Sequence, residues 1–285
     1  MRIALVSDTH LARRVPAFMA NWQAVRDWLD AVSPDLILHL GDITVNGAEH
    51  AAELVEARAA FEGLPAPIRF LPGNHDIGDN PIAPGVPNAH PLDLARLAEY
   101  RRVFGPDRWS IEAETWSLIG LNAQLFGTDT PEETAQFEWL ASALGEGDGP
   151  LGLFLHKPLF RNRPEDTEAH IRYVPSQPRQ RLLALLARRD LRFIAAGHTH
   201  QHRQHVVDRV EHVWAPSCTV IFGDAMQERI GAKTVGTMLL ELTAGDHRFS
   251  AEAPVGLCQL DLLDHPEAYP QIAALRARLR LDPPA

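Results

Sequence analysis

Short apolar runs that end directly in polar side chains recur along this sequence, and they constrain its fold more than any other feature. The first three such runs are Ile3–Val6, Leu36–Leu40 and Ile68–Leu71. They lead into Asp8-Thr9-His10, Gly41-Asp42 and Gly73-Asn74-His75-Asp76. Continuous apolar runs of this length are typical of strands buried on both faces. We therefore predict strands whose tips present carboxylate, imidazole and amide groups.

Segments with helical character separate these runs. Apolar residues at Trp22, Val25, Leu29 and Val32 form a helical stripe over about residues 18–32, and residues 47–61 are rich in Ala and Glu. Strand and helix in alternation predict an α/β protein with a largely parallel sheet. Such sheets bind ligands outside the carboxyl ends of their strands, where all three polar tips fall.

Two later runs carry histidines. Leu151–Leu155 ends in His156-Lys157-Pro158, and Leu191–Ala196 ends in Gly197-His198-Thr199-His200. Before them, residues 109–113 and 116–121 predict a hairpin. Thr130-Pro131-Glu132-Glu133 is a capping box that predicts the start of a helix.

The end of the sequence changes in character. Short strands at about 204–207, 212–215, 237–242 and 248–252 predict an antiparallel second sheet. An amphipathic helical tail is predicted from about Pro266 to Arg280. We find no internal repeat or linker, so one domain is predicted over residues 1–285.

Composition excludes several classes of protein. The 285 residues are 45% hydrophobic with a net charge of −10, which argues against binding a nucleic-acid polymer through its phosphates. No apolar run reaches the roughly 18 residues of a membrane span. The start of the sequence lacks signal-peptide character, and the two cysteines, Cys218 and Cys258, suggest no disulfide framework. We expect a cytoplasmic protein, and a homo-oligomer is compatible with the sequence.

Candidate metal ligands share one location, the strand tips. They are Asp8, His10, Asp42, Asn74, His156, His198 and His200. Oxygen and imidazole donors without thiolate suit Mn, Fe or Zn. Seven protein ligands are too many for one ion but suit two ions about 3.5–4 Å apart. The sequence therefore predicts two divalent or trivalent ions per chain.

These five blocks, taken in order, resemble the motifs of the calcineurin-like metallophosphoesterases over about residues 2–250. The resemblance implies a four-layer αββα sandwich of two mixed β-sheets flanked by helices. It also implies that Asp8, His10 and His200 bind one metal, that Asn74, His156 and His198 bind the other, and that Asp42 bridges. His75 would then be the general acid and Asp76 the residue that orients it.

The implied activity is hydrolysis of a phosphoester by a metal-bridging hydroxide. Asp-x-His with a lone Asn-His-Asp block looks like the bacterial cyclic-nucleotide and glycerophosphodiester phosphodiesterases, so we expect a small phosphodiester as substrate. Leu121-Asn122-Ala123-Gln124 and His156–Phe160 are also similar to a branch that includes phosphomonoesterases acting on proteins. Both activities stay open at this point.

Two segments are predicted to rim the site. Residues 77–91, with four prolines, follow the Asn-His-Asp tip directly and could form a wall or lid. Residues 161–175 contain Arg161 and Arg163, which are candidates for substrate binding.

Two other classes of protein remain to be weighed. A metal-binding scaffold without activity would show damage at a ligand or at His75, and the sequence shows none. A metallo-amidohydrolase also uses His and Asp but would lack an Asn ligand beside a His acid.

Overall fold

The computed structural model describes residues 1–113, 115–145 and 149–279. Its strands are β1 Arg2–Val6, β2 Leu36–His39, β3 Ile68–Phe70, β4 Trp109–Ala113, β5 Trp116–Gly120, β6 Pro150–Leu155, β7 Asp190–Ala196, β8 Arg203–Val207, β9 Val210–Trp214, β10 Val220–Ile221, β11 Thr237–Leu242, β12 His247–Glu252 and β13 Leu260–Asp261. Its α-helices are α1 Pro16–Val32, α2 Ala51–Ala59, α3 Asn74–Ile77, α4 Leu94–Phe104, α5 Pro131–Leu144, α6 Ser176–Leu186 and α7 Pro270–Leu279. Short 3₁₀ helices lie at Ala123–Leu125 and Leu262–Asp264.

Two mixed sheets form the centre of the fold. The first has five strands in the order β12-β11-β1-β2-β3, and the second has six in the order β4-β5-β6-β7-β9-β8. Strands β1, β2 and β3 run parallel, as do β5, β6, β7 and β9. The antiparallel strands β11 and β12 extend the first sheet, and β4 and β8 form the edges of the second.

Alternation along β1 shows how the layers pack. Ile3 and Leu5 point into a core between the two sheets that also contains Phe154 and Phe193, whereas Ala4 and Val6 pack on the opposite face beneath the helices. The outer face of the second sheet is covered in the same way, with Leu153 and Leu155 against Phe137 of α5 and Leu182 of α6. Because side chains alternate along a strand, each sheet buries both faces. The predicted αββα sandwich is confirmed.

The predicted antiparallel second sheet is wrong. The strands exist, but β9 pairs in parallel with β7 in the second sheet, whereas β11 pairs with β1 in the first. Local apolar patterns identify a strand but not its partner, which depends on where the chain returns to the sheet.

The start of α5 follows its capping residue. Thr130 Oγ1 accepts a hydrogen bond from the Glu133 amide, as the capping box predicts. The Glu133 carboxylate reaches further back than expected and accepts from the amides of Gly127 at 2.7 Å and Asp129 at 2.9 Å. The predicted C-terminal helix is observed as α7, and its predicted last residue, Arg280, lies outside the described residues.

None of the helices in the described part of the chain combines the length and apolar character that crossing a membrane requires.

Candidate metal centre

The loops that follow β1, β2, β3, β6 and β7 meet at one edge of the sandwich. They bring potential ligand atoms into two groups, in each of which the atoms lie within 4.8 Å of one another: Asp8, His10, Asp42 and His200 in the first, and Asp42, His156 and His198 in the second. Asn74 joins the second group, because its Oδ1 is 3.3 Å from His156 Nε2. All seven predicted ligands are therefore brought together.

Asp42 is the residue that the two groups share. Its Oδ2 lies 3.9 Å from His10 Nε2 and 3.3 Å from His156 Nε2. Its other oxygen, Oδ1, accepts a hydrogen bond from the His75 amide at 2.9 Å. One carboxylate oxygen thus faces both groups while the second oxygen is held by the backbone.

Each of the four histidines has an outer nitrogen engaged away from the cluster. Nδ1 of His156 faces the Leu40 carbonyl at 2.9 Å, and Nδ1 of His200 faces that of Val220 at 2.6 Å. His10 Nδ1 lies 3.0 Å from the Tyr269 hydroxyl. The two carbonyls can only accept, so Nδ1 of His156 and of His200 carries a proton and Nε2 of each is the atom that faces the cluster.

His198 is turned the other way. Its Nε2 lies 3.2 Å from the Ile171 carbonyl, and its Nδ1 faces His156 Nε2 at 3.1 Å. His198 would therefore offer Nδ1 to a metal, whereas the other three histidines would offer Nε2.

The backbone at the ligands is strained. Positive φ angles occur at Asp8 (53°), His10 (43°), Asp42 (53°), His198 (67°) and His200 (52°). Left-handed conformations cost an L-residue about 1–2 kcal/mol, although Asp and His tolerate them better than most. Several such residues at one site indicate strain that is retained for function rather than for folding.

Two glycines allow the loops to approach closely. A Cβ on Gly73 would collide with the backbone and carboxylate of Asp42, and a Cβ on Gly197 would collide with the Ser7 hydroxyl and lie 2.7 Å from Asp8 Oδ2. The glycines in the Gly-Asn-His-Asp and Gly-His-Thr-His blocks are thus required by packing against neighbouring ligand loops.

Burial and neighbouring charges together set the protonation of the site. Burial would raise the pKa of Asp8 and Asp42, but the adjacent imidazoles, chiefly His200 and His156, hold both pKa values below the usual range. Burial lowers the pKa of His10 to about 3 and that of His198 well below its usual value. Anionic carboxylates and neutral imidazoles are the forms that bind metals.

His156 has the opposite shift. Burial lowers its pKa, but the carboxylates of Asp42 and Asp8 outweigh burial and raise it to about 9. Near neutral pH the His156 ring therefore carries an additional proton, at a place where the same carboxylates would attract a metal cation. The chemistry of the donor set fits a pair of metal ions.

The structure places His75 beside the cluster and ties the Asp76 carboxylate to backbone amides. The His75 ring packs edge-on against His10, with centroids 4.9 Å apart, and its Nδ1 is 2.8 Å from the Val45 carbonyl. Asp76 accepts hydrogen bonds from the amides of Gly73, Ile43 and Thr44. These hydrogen bonds hold the loop that carries His75, and the predicted role of Asp76 in orienting the ring stays a prediction.

The two rim segments contribute through residues other than the predicted arginines. Arg161 binds Glu228 at 2.6 Å, and Arg163 lies 3.8 Å from Asp166, so the contacts of both are with carboxylates rather than with the ligand groups. The segment 161–175 instead supplies the Ile171 carbonyl to His198.

A buried polar network behind Asn74 was not predicted. The Lys157 ammonium binds Asp79 and, at 2.6 Å, Asn80 Oδ1. With its amide oriented by its hydrogen-bond partners, Gln124 accepts from the Asn74 amide at 3.1 Å and donates to Asp79 at 2.9 Å. The start of segment 77–91 is therefore packed next to the site. Gln124 and Lys157 lie in two sequence blocks that contribute to the family resemblance. That resemblance was the signal that could have revealed the network.

Comparison with known families agrees with this geometry. The model of the calcineurin-like phosphoesterase family matches residues 1–202, which include all five ligand loops. The chain therefore belongs to the calcineurin-like phosphoesterases. It is a metal-dependent hydrolase that acts on phosphate esters, and the predicted family is confirmed.

Solved structures share the fold at low sequence identity. A dimetal phosphatase from Danio rerio is 12% identical with a TM-score of 0.60, covering 90% of this chain and 96% of that one. GAP50, the anchor in the inner membrane complex of Plasmodium, is 11% identical with a TM-score of 0.61 over 90% and 86%. A purple acid phosphatase from yellow lupin (Lupinus luteus) seeds is 13% identical with a TM-score of 0.61 over 91% and 55%. No curated protein matches the chain in sequence.

Proposed function

We propose that this protein is a dinuclear phosphodiesterase that hydrolyses a small phosphodiester of the cyclic-nucleotide or glycerophosphodiester type. The observation that carries the proposal is the pair of ligand groups joined through Asp42 Oδ2, with the outer nitrogen of every histidine ligand already engaged. One ion would be held by Asp8, His10 and His200, the other by Asn74, His156 and His198, and Asp42 would bind both. When bound, ions such as Mn, Fe or Zn supply an activated water and positive charge for the phosphoryl oxygens.

His75 is the residue to which we assign the proton for the departing alcohol. Its Nδ1–H donates to the Val45 carbonyl, which leaves Nε2 as the atom that holds and releases a proton. Its amide is tied to Asp42, so the ring is fixed relative to the atom that both ions would share. General acid catalysis of this kind contributes about 10²–10⁴-fold to the rate.

The charge around the cluster favours a diester over a monoester. Lys157, Arg161 and Arg163 are each engaged by a carboxylate: that of Asp79, Glu228 or Asp166. A diester carries a single negative charge, whereas a monoester carries up to two and gains more from additional cations. The charge of each of these three cations is therefore already paired, which makes them poorly suited to binding a second phosphate charge.

Phosphomonoester hydrolysis is the second candidate. It is supported by the resemblance of the block containing Gln124 and by the contact of Gln124 with the Asn74 amide. The fold alone does not distinguish a phosphodiesterase from a phosphomonoesterase, since the structural relatives include both phosphatases and a protein described as an anchor.

A substrate panel tests the proposal. The manganese-loaded protein would be assayed on bis-(4-nitrophenyl) phosphate, 4-nitrophenyl phosphate, cyclic AMP, a glycerophosphodiester and a phosphopeptide. We expect a higher kcat/KM for the diesters, and no activity in Asp42→Asn, which keeps the shape of the side chain but removes its charge. Faster hydrolysis of the monoesters would support the second candidate. Inactivity of the wild type with both ions bound would contradict both.

A further inference from the structure

An apolar pocket lies beside the metal-ligand cluster, against His75. It has a volume of about 600 Å³ and is lined mostly by apolar side chains, among them Phe222, Met226, Ile272 and Leu275, with the polar Gln271 and Arg278 also on its wall. Pockets of this size accommodate small organic molecules. Most of its wall comes from the C-terminal segment, outside the region matched by the family model.

The pocket and the cluster share a wall. The Tyr269 hydroxyl lies 3.0 Å from His10 Nδ1 and 3.4 Å from His75 Nδ1. On the other side, the Phe222 ring stacks on His200 with centroids 4.4 Å apart. A group in the pocket would therefore lie against residues that contact the proposed ligands, and directly against the proposed proton donor.

The wall formed by α7 is anchored to the rest of the molecule. Ile272 and Tyr269 pack with Phe18 of α1, and Arg276 binds Asp264 at 2.9 Å. In contrast, Phe222, Met226 and Leu275 remain partly exposed within the pocket. These side chains offer apolar surface that the core does not use.

We propose that this pocket binds an aryl or alkyl group on the leaving alcohol of the substrate. The proposal rests on the proposed function: His75 protonates the leaving oxygen, so the group attached to that oxygen lies on the His75 side. An aryl or alkyl group there would cover the exposed apolar parts of Phe222, Met226 and Leu275, which cannot hydrogen-bond to the hydroxyls of a sugar. Within the proposed substrate class, the pocket thus favours glycerophosphodiester-type substrates whose leaving alcohol carries an apolar group over cyclic nucleotides, whose leaving oxygen stays on the sugar.

Two substrates with the same reacting group test the assignment. Methyl phenyl phosphate and methyl 4-hexylphenyl phosphate have similar leaving-group acidity but differ in apolar volume. With manganese-loaded wild type, we expect kcat/KM to be about 10- to 100-fold higher for the hexylphenyl ester, from burial of its alkyl carbons.

Two tryptophan substitutions on α7 form a matched pair. Ala274 lines the pocket and Ala273 does not, and both are exposed. Ala274→Trp should fill the pocket and abolish the preference for the hexylphenyl ester, whereas Ala273→Trp should preserve it. Calorimetry with 4-hexylphenol and metal-free protein should show the same contrast, with binding about 10-fold weaker in Ala274→Trp.

The outcomes separate the two proposals. Equal kcat/KM for both esters in wild type, or equal 4-hexylphenol binding by the two variants, would overturn the pocket assignment while leaving the phosphodiesterase intact. If the metal-loaded protein hydrolyses neither these esters nor any diester of the substrate panel, the proposed function fails, and the calorimetric comparison still decides whether the pocket binds an apolar group. Hydrolysis of the panel diesters but of neither ester would overturn the pocket assignment alone.

Discussion

The Nδ1 atom of His75 lies 2.8 Å from the carbonyl oxygen of Val45, and this contact determines which face of the imidazole can take part in chemistry. A carbonyl accepts but does not donate, so Nδ1 must carry a proton. Nε2 is then the atom at which His75 can gain and lose a proton. This arrangement suits a general acid whose orientation comes from the backbone.

Replacing His75 should slow the chemistry without emptying the site. His75→Asn should retain both ions and lose about 10²–10⁴-fold in kcat on an alkyl ester, because a poor leaving group needs a proton. The loss should be much smaller for 4-nitrophenyl esters, since 4-nitrophenolate leaves unprotonated. Metal analysis and rates on both substrate types check this expectation. Loss of metal together with an equal drop on both substrates would mean that His75 only maintains the structure.

Asp76→Asn should behave differently from His75→Asn. Asp76 accepts hydrogen bonds from Gly73, Ile43 and Thr44, and an amide would turn a donor towards one of these donors. We expect a loss of about 1–3 kcal/mol in the free energy of unfolding. The ratio of rates on good and poor leaving groups should stay as in the wild type. If this ratio changes in Asp76→Asn as it does in His75→Asn, Asp76 orients the His75 ring.

Metal content should distinguish Asp42, the proposed bridging carboxylate, from Asp8, which would bind only one ion. Asp42 faces both groups, whereas Asp8 contacts His200 in one of them. Asp42→Asn should lose much of both ions, and Asp8→Asn should lose mainly one, as measured by elemental analysis after equilibration with a fixed concentration of manganese. Equal metal loss in the two variants would count against Asp42 as the bridge.

The part of the site that could be predicted is the part encoded locally. A buried run and the polar residues after it are adjacent in sequence, so β1, β2, β3, β6 and β7 and their ligand side chains follow from short patterns. Parallel strands place their tips at one edge, which brings these loops together without any long-range information.

The remainder depends on contacts that no local pattern encodes. Tyr269 meets His10 across 259 residues, and Val45 meets His75 across 30. Side-chain chemistry does not encode the partner of a backbone carbonyl, so the contact between Val45 and His75 could not be predicted. The strand partners of β9 and β11 were missed for the same reason, since apolar alternation does not specify which edge a strand joins.

Tyr269→Phe should weaken one metal site while preserving the pocket wall. The variant removes the hydroxyl 3.0 Å from His10 Nδ1 but keeps the ring. Loss of such an outer partner typically costs about 10- to 100-fold in metal affinity. Competition with a chromophoric chelator should show a lower affinity for one ion and an unchanged affinity for the other. If both affinities match the wild type, the hydroxyl does not orient His10.

Protonation of His39 should make the protein less stable in mild acid. Its Nδ1 accepts from the Gly41 amide at 3.1 Å, and its Nε2 lies 2.9 Å from Thr9 Oγ1, which donates to the Ile43 carbonyl. The neutral ring thus ties two ligand loops together, and a proton on Nδ1 would break the bond to Gly41. Burial lowers the pKa of His39 to about 3.

The unfolded chain should bind that proton near the ordinary histidine pKa of about 6.5. The stability that His39 contributes is therefore fully present above pH 6.5 and is lost as the pH falls towards 3, by about 2–5 kcal/mol in total. His39→Gln cannot titrate, so the difference in free energy of unfolding between the metal-free wild type and this variant should shrink across this range. Urea unfolding at several pH values measures that difference. If the free energies of unfolding of the wild type and His39→Gln differ by the same amount at every pH, His39 does not take up a proton on unfolding.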